Sequence, residues 1–269
     1  MKYVTFKPED VPECWVDGYL QTCGQSNEMK QRLLPAVVIC PGGGYAFVSD
    51  REGEPVAKPY LSAGYHVFIL HYSVGERASD FRPLSQLAET VAYIRGNAAE
   101  WQVDAGKIAV CGFSAGGHLA ACLGTLWNDE TFLRAWGKTG SIRPDAMILG
   151  YPVILADEFA HAGSIERCSG AKAGTEDYAW FGLDRHISGD TPPTFLWHTA
   201  ADSLVPVENS LAFAAGLSRA NVPFELHILP EGAHGMSTCT QEVGTLDPYN
   251  ARWVEWSIAW LNKRFAFET

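Results

Sequence analysis

The chain has 269 residues, 47% of them hydrophobic and 19% charged, with a net charge of −11 and a pI near 5.1. This composition excludes a disordered polymer and provides apolar mass for one large core. The negative balance repels a phosphate backbone and argues against a nucleic-acid partner, while leaving a neutral small molecule open.

The N-terminal MKYVTFKPEDVPECW lacks the apolar block of a signal peptide, and no apolar run approaches the ~20 residues that span a bilayer. The expectation is a soluble, cytoplasmic protein without a membrane partner. Seven cysteines, with no CxxC pair and no zinc spacing, read as reduced core thiols.

The first buried strand is AVVIC (36–40), which runs into PGGGYAFVSD (41–50). A dinucleotide fingerprint needs a third glycine where Phe47 stands, and a phosphate loop needs a Lys-Ser/Thr pair that is missing. Two readings remain: a glycine turn with no ligand, or backbone N–H groups of Gly43 and Gly44 that approach a developing oxyanion. Tyr45 beside them either shapes a substrate pocket or packs. A second strand follows in HVFILHY (66–72), then a helix over 83–98, where Leu84, Leu87, Val91 and Ile94 recur at three- and four-residue spacing.

The third buried strand, KIAVCG (107–112), leads into Gly112-Phe113-Ser114-Ala115-Gly116 and then a helical segment. G-x-S-x-G between a strand and a helix predicts a sharp turn that exposes the Ser114 hydroxyl and aims the Ala115 N–H at whatever it attacks. A helix-capping serine is the plainer alternative. After the strand in DAMILGY (145–151) comes a long irregular stretch, 153–193. It reads as a cap or lid over a site, with Trp180 in its aromatic cluster a candidate substrate contact, or else as a surface excursion.

A strand in TFLWHT (194–199) is followed by Asp202, and a last strand in FELHIL (224–229) by His234 in LPEGAHGMS. A serine hydroxyl needs a base oriented by an acid, and both residues lie on loops at strand ends in the order Ser, Asp, His. Asp157 or Glu158 is the alternative acid and His186 the alternative base. Trp253, Trp256, Trp260 and Leu261 mark a terminal helix that packs on the core. Alternation of strands and helices implies a parallel sheet, with chemistry at the carboxyl ends of its strands.

The motifs PGGGY, GFSAGGHLA, TPPTFLWHTAADSLVPVENS and PEGAHG, taken together, resemble serine esterases of the α/β-hydrolase fold. They are most similar to the acetyl-esterase and acetyl-xylan-esterase-like subgroup near the carboxylesterase and hormone-sensitive-lipase branch. The resemblance spans about residues 35–265. Pro41 stands where the H-G-G-G motif has its histidine, and Phe113 where hormone-sensitive-lipase-like proteins commonly have aspartate.

The resemblance implies an α/β fold: one α/β-hydrolase domain over 1–269, with a mostly parallel central sheet, helices on both faces, and a short cap at 153–193. It implies Ser114 as nucleophile, Asp202 as acid, His234 as base, and Gly43, Gly44 and Ala115 as oxyanion hole, with no metal or other cofactor. It gives His186, in GLDRHIS (182–188), a structural role. The expected reaction is hydrolysis of short-chain carboxylic esters, such as acetyl esters of sugars or xylo-oligosaccharides. An amide or peptide hydrolase with the same triad and a non-catalytic binding protein are the alternatives. A homo-oligomer is compatible with all of these.

Overall fold

A computed structural model describes residues 1–22 and 32–268. The continuous apolar runs form the middle of one sheet, because strands covered on both faces must be apolar on both. In chain order the strands are β1 (Lys2–Phe6), β2 (Trp15–Leu20), β3 (Leu34–Cys40), β4 (His66–His71), β5 (Val103–Phe113), β6 (Ala146–Gly150), β7 (Thr194–Thr199) and β8 (Phe224–Leu229). They lie in the order β1-β2-β4-β3-β5-β6-β7-β8. The strands from β4 to β8 run parallel, whereas β1 and β2 pair antiparallel at one edge. This is the mostly parallel sheet that the alternating pattern predicts, extended by an antiparallel ribbon.

Helices cover both faces. They are α1 (Glu54–Ser62), α2 (Arg82–Gly96), α3 (Ala98–Trp101), α4 (Ala115–Leu126), α5 (Glu130–Trp136), α6 (Ala162–Ser169), α7 (Glu176–Trp180), α8 (Glu208–Arg219) and α9 (Trp253–Phe265). Successive strand side chains point to opposite faces, so they sort into two cores. Val38, Val110, Leu149 and Leu196 pack with Leu87 and Val91 of α2, Leu119 and Leu123 of α4 and Phe213 of α8. Val37, Ile39, Cys111, Ile148 and Trp197 pack with Val56 and Tyr60 of α1 and with Trp253, Trp260 and Leu261 of α9.

The stretch 153–193 contains α6, α7 and a 3-10 turn at Leu183–Arg185. Val153, Ile154, Leu155, Ile165 and Leu183 within it are buried in the first of the two cores. Six cysteines, 14, 40, 111, 122, 168 and 239, are buried free thiols, and Cys23 lies outside the described residues. No helix among the described residues is long and apolar enough to cross a membrane.

Candidate active site

Five loops at the carboxyl ends of β3, β5, β6, β7 and β8 converge on one place. The central one is the turn from β5 into α4. Ser114 has φ 54° and ψ −120°, a conformation disfavoured for a side chain with a Cβ. Its backbone is held there from several sides. Ser114 N–H donates to the Gly150 carbonyl at 3.1 Å, and its own carbonyl accepts from His118 N–H at 3.0 Å and Val153 N–H at 3.1 Å. The turn closes only because its flanks are glycine. A Cβ on Gly112 would overlap the Gly116 carbonyl, and one on Gly116 would overlap the carbonyls of Cys40 and Pro41.

Ser114 Oγ lies 2.8 Å from His234 Nε2, and His234 Nδ1 lies 2.7 Å from Asp202 Oδ2. The carboxylate can only accept, so Nδ1 carries the ring proton and Nε2 is left to accept from the serine hydroxyl. Ser114 and Asp202 are both buried. Asp202 Oδ1 accepts the N–H groups of Leu204 at 3.0 Å and Val205 at 2.9 Å. Burial by itself would raise the Asp202 pKa, but hydrogen bonds from His198, His234 and the Val205 N–H outweigh it and hold the carboxyl well below its usual range.

The glycine loop stands opposite. Gly43 (φ 120°) and Gly44 (φ 64°) adopt left-handed backbone that glycine accepts without strain. Among the described residues, the N–H groups of Gly43, Gly44 and Ala115 donate to no protein acceptor. Arg167 of α6 braces this loop, with Nη1 donating to the Gly44 carbonyl at 3.2 Å. A cavity of about 380 Å³ opens above Ser114 and is bordered by Gly43, Gly44, His161, Arg167 and His234. Phe47 and Leu204, both exposed, form part of its rim. The stretch 153–193 therefore contributes a wall, through His161 and Arg167.

Two sequence expectations are corrected. Tyr45 does not face the cavity: it is buried, and its hydroxyl meets His118 Nδ1 at 2.9 Å. Trp180 lies apart, lining a separate cavity with Phe81 and Phe181, where its carbonyl accepts from His186 Nε2 at 2.7 Å. The alternative base His186 is thus occupied away from Ser114, and Asp157 caps a turn by accepting Phe159 N–H at 2.9 Å.

Other residues join the site without a signal in the sequence. His198 Nε2 meets the Val205 carbonyl at 2.9 Å and lies 3.3 Å from Asp202 Oδ2, so a second imidazole edge faces the carboxylate. Its position in an apolar strand reads as simple packing. Glu52 and Tyr151 form a buried pair beneath the site, with Tyr151 Oη donating to Glu52 Oε1 at 2.6 Å. Among the described residues, no group of three or more His, Cys, Asp or Glu side chains is arranged to hold a metal ion.

Comparison with known proteins gives the same frame. Residues 25–154 match the BD-FAE family. The chain is 35% identical over 209 residues to endo-1,4-beta-xylanase B of Butyrivibrio fibrisolvens, covering 77% of this chain and 33% of that protein. It is 30% identical over 212 residues to the acetylxylan esterase of Xylanibacter ruminicola, covering 74% of this chain and 40% of that one. The chain thus spans well under half the length of these curated relatives. The solved acetyl ester-xyloside bifunctional hydrolase of Caldicellulosiruptor lactoaceticus superposes with a TM-score of 0.84 at 31% identity, covering 98% of this chain and 97% of that one.

Proposed function

Since this chain belongs to the esterases of the α/β-hydrolase fold, we propose that it is a serine carboxylic-ester hydrolase acting on short acyl esters, in particular acetyl groups on sugars or xylo-oligosaccharides. The observation that carries the reading is the unbroken chain of hydrogen bonds from Ser114 Oγ through His234 to Asp202. The intact triad also favours an enzyme over a binding protein on the same scaffold.

In this mechanism Ser114 Oγ attacks the ester carbonyl carbon while its proton passes to His234 Nε2. Asp202 keeps the ring in the required tautomer and stabilises the imidazolium. Negative charge that develops on the carbonyl oxygen is met by the N–H groups of Ala115, Gly43 and Gly44, with the N-terminus of α4 behind Ala115 adding its dipole. Collapse of the tetrahedral intermediate expels the alcohol, which takes the proton from His234. Water then attacks the acyl-serine, His234 accepts its proton, and the acid leaves with Ser114 restored.

The xylan-related names of the relatives support a carbohydrate alcohol. The exposed Phe47 and Leu204 at the cavity rim offer apolar surface on which a sugar ring could rest. In this reading the chain is one hydrolase domain whose 153–193 segment serves as a fixed wall and partial cap. Its buried thiols suit a reducing cytoplasm, where acetylated oligosaccharides taken up by the cell would be the available substrates.

The test is a panel of acetyl, butyryl and octanoyl aryl esters, acetylated xylo-oligosaccharides and aminoacyl anilides, run with the parent and Ser114→Ala. The parent is expected to prefer acetyl esters, and Ser114→Ala to lose at least ~10³-fold in kcat. Undiminished hydrolysis by Ser114→Ala refutes the mechanism. Anilide cleavage that outpaces ester cleavage replaces the esterase with an amidase.

A further inference from the structure

Glu52 is a buried ionisable group that the mechanism above leaves unused. It sits in a 3-10 turn, Asp50–Glu52, at the end of the glycine loop, and is only 4% exposed. Its two carboxylate oxygens have separate partners. Oε2 accepts the N–H of Gly42 at 2.7 Å, and Oε1 accepts the Tyr151 hydroxyl at 2.6 Å. Tyr151 Oη in turn accepts the N–H of Ser237, three residues past His234, at 2.9 Å. The Tyr151 ring stands edge-on to the His234 ring, with centroids 5.0 Å apart and planes at 70°. The fit around Gly42 is close, since a Cβ there would come within 2.6 Å of Glu52 Oε2.

One carboxylate therefore ties together three of the five loops. It reaches the glycine loop through Gly42, the loop after β6 through Tyr151, and the histidine loop through Tyr151 and Ser237. Burying a carboxylate is a costly way to stabilise a fold, and a well-packed apolar side chain usually does as well. Burial pushes the Glu52 pKa up, opposed by the bonds from Tyr151 and Gly42. What a charged acceptor adds is direction: its bonds are stronger and more tightly oriented than neutral ones.

We propose that Glu52 is a positioning residue that holds Gly42, and with it the Gly43 and Gly44 N–H donors, in register with His234 through Tyr151 and Ser237. Glu52 does not exchange a proton with substrate. It sets the distance between the oxyanion donors on one loop and the base on another. The interactions that depend on this distance strengthen in the transition state, so its loss falls on kcat more than on KM.

The proposal rests on the esterase reading, and its test separates the two. Glu52→Gln, Tyr151→Phe and the double variant are compared with the parent on p-nitrophenyl acetate. All rates are normalised to active sites counted by covalent labelling of Ser114 with a fluorophosphonate. The two single variants are each expected to lose about tenfold to hundredfold in kcat, with KM within about twofold and a parallel fall in the labelling rate. The double variant is expected to be no worse than the weaker single, because both break the same chain.

Normalised kcat within about twofold of the parent in the singles, equal losses in kcat and 1/KM, or additive losses in the double each overturn the proposal. If Glu52→Gln does not fold, Tyr151→Phe decides by the same criteria, since it removes one oxygen and keeps the packed ring. If the parent hydrolyses no ester, the esterase reading fails, and the labelling rate still tests Glu52.

Discussion

Asp202 accepts more hydrogen bonds than orienting His234 requires. Oδ1 takes two backbone N–H groups, and Oδ2 lies within reach of both His234 and His198. The folded protein therefore favours the ionised carboxylate more than the unfolded chain does. Its stabilising contribution is complete above the ordinary value of 3.8 and is lost as the pH falls through the lower folded value. For Asp202→Asn, kcat should drop by about 10³–10⁴-fold, because the amide no longer enforces the tautomer. The melting-temperature gap between parent and variant should be widest above about pH 5 and narrow as the pH falls below 3.8. A gap that stays constant across a series from pH 7 to pH 3 contradicts the assignment. At this scale Ser114, Asp202 and His234 are legible in the sequence, since each follows an apolar run and two have glycine neighbours. Glu52 is not, because a single acid among Asp50, Arg51 and Glu54 looks like a solvated turn until the fold buries it.

The unit formed by β5, the serine turn and α4 is limited by backbone contact rather than by side-chain packing. Gly116→Ala puts a methyl against the Cys40 and Pro41 carbonyls, which belong to β3 and its glycine loop and cannot move independently. A loss of roughly 3 kcal/mol or more is expected, read from the urea unfolding midpoint. Gly96→Ala, at the end of α2 with open space around it, should stay within about 1 kcal/mol of the parent or gain stability. Equal effects of the two substitutions contradict the steric account. The same physics decides which elements the sequence discloses. Strands β3 to β7 are apolar on both faces and stand out, while β1 and β2 alternate with polar or exposed positions such as Lys2, Thr5 and Asp17 and do not. The helices of 153–193 are short and interrupted by glycine, so the stretch reads as irregular until its apolar residues are seen packed in the core.

In the molecule as a whole, the second core and the histidine loop are closed by one helix near the chain's end. Trp253 of α9 is fully buried and stacks on Trp197 of β7, with centroids 5.0 Å apart. Its indole N–H donates to the Ser237 carbonyl at 2.8 Å. Trp253→Ala should therefore cost about 3–5 kcal/mol in global stability and also lower kcat, measured by unfolding and by ester turnover on the folded fraction. Lost stability with unchanged kcat contradicts the link to the loop. The same loop is anchored on its other side. Arg51 donates to the Val243 carbonyl at 2.8 Å, and the Ser237 hydroxyl donates to the Arg51 carbonyl.

This anchoring gives the site an order in time. A ribosome delivers the serine turn while three described strands, β6 to β8, and α9 are still unmade, so the growing chain holds Ser114 with neither Asp202 nor His234. Asp202 arrives next, and His234 arrives after β8, yet its loop, already tied to Tyr151 and Arg51, lacks one of its anchors until Trp253 docks. On the proposed mechanism, reactivity toward esters is thus withheld until nearly all of the described chain has emerged and folded. The appearance of hydrolysis during synthesis would then mark the completion of the sheet rather than the making of the serine.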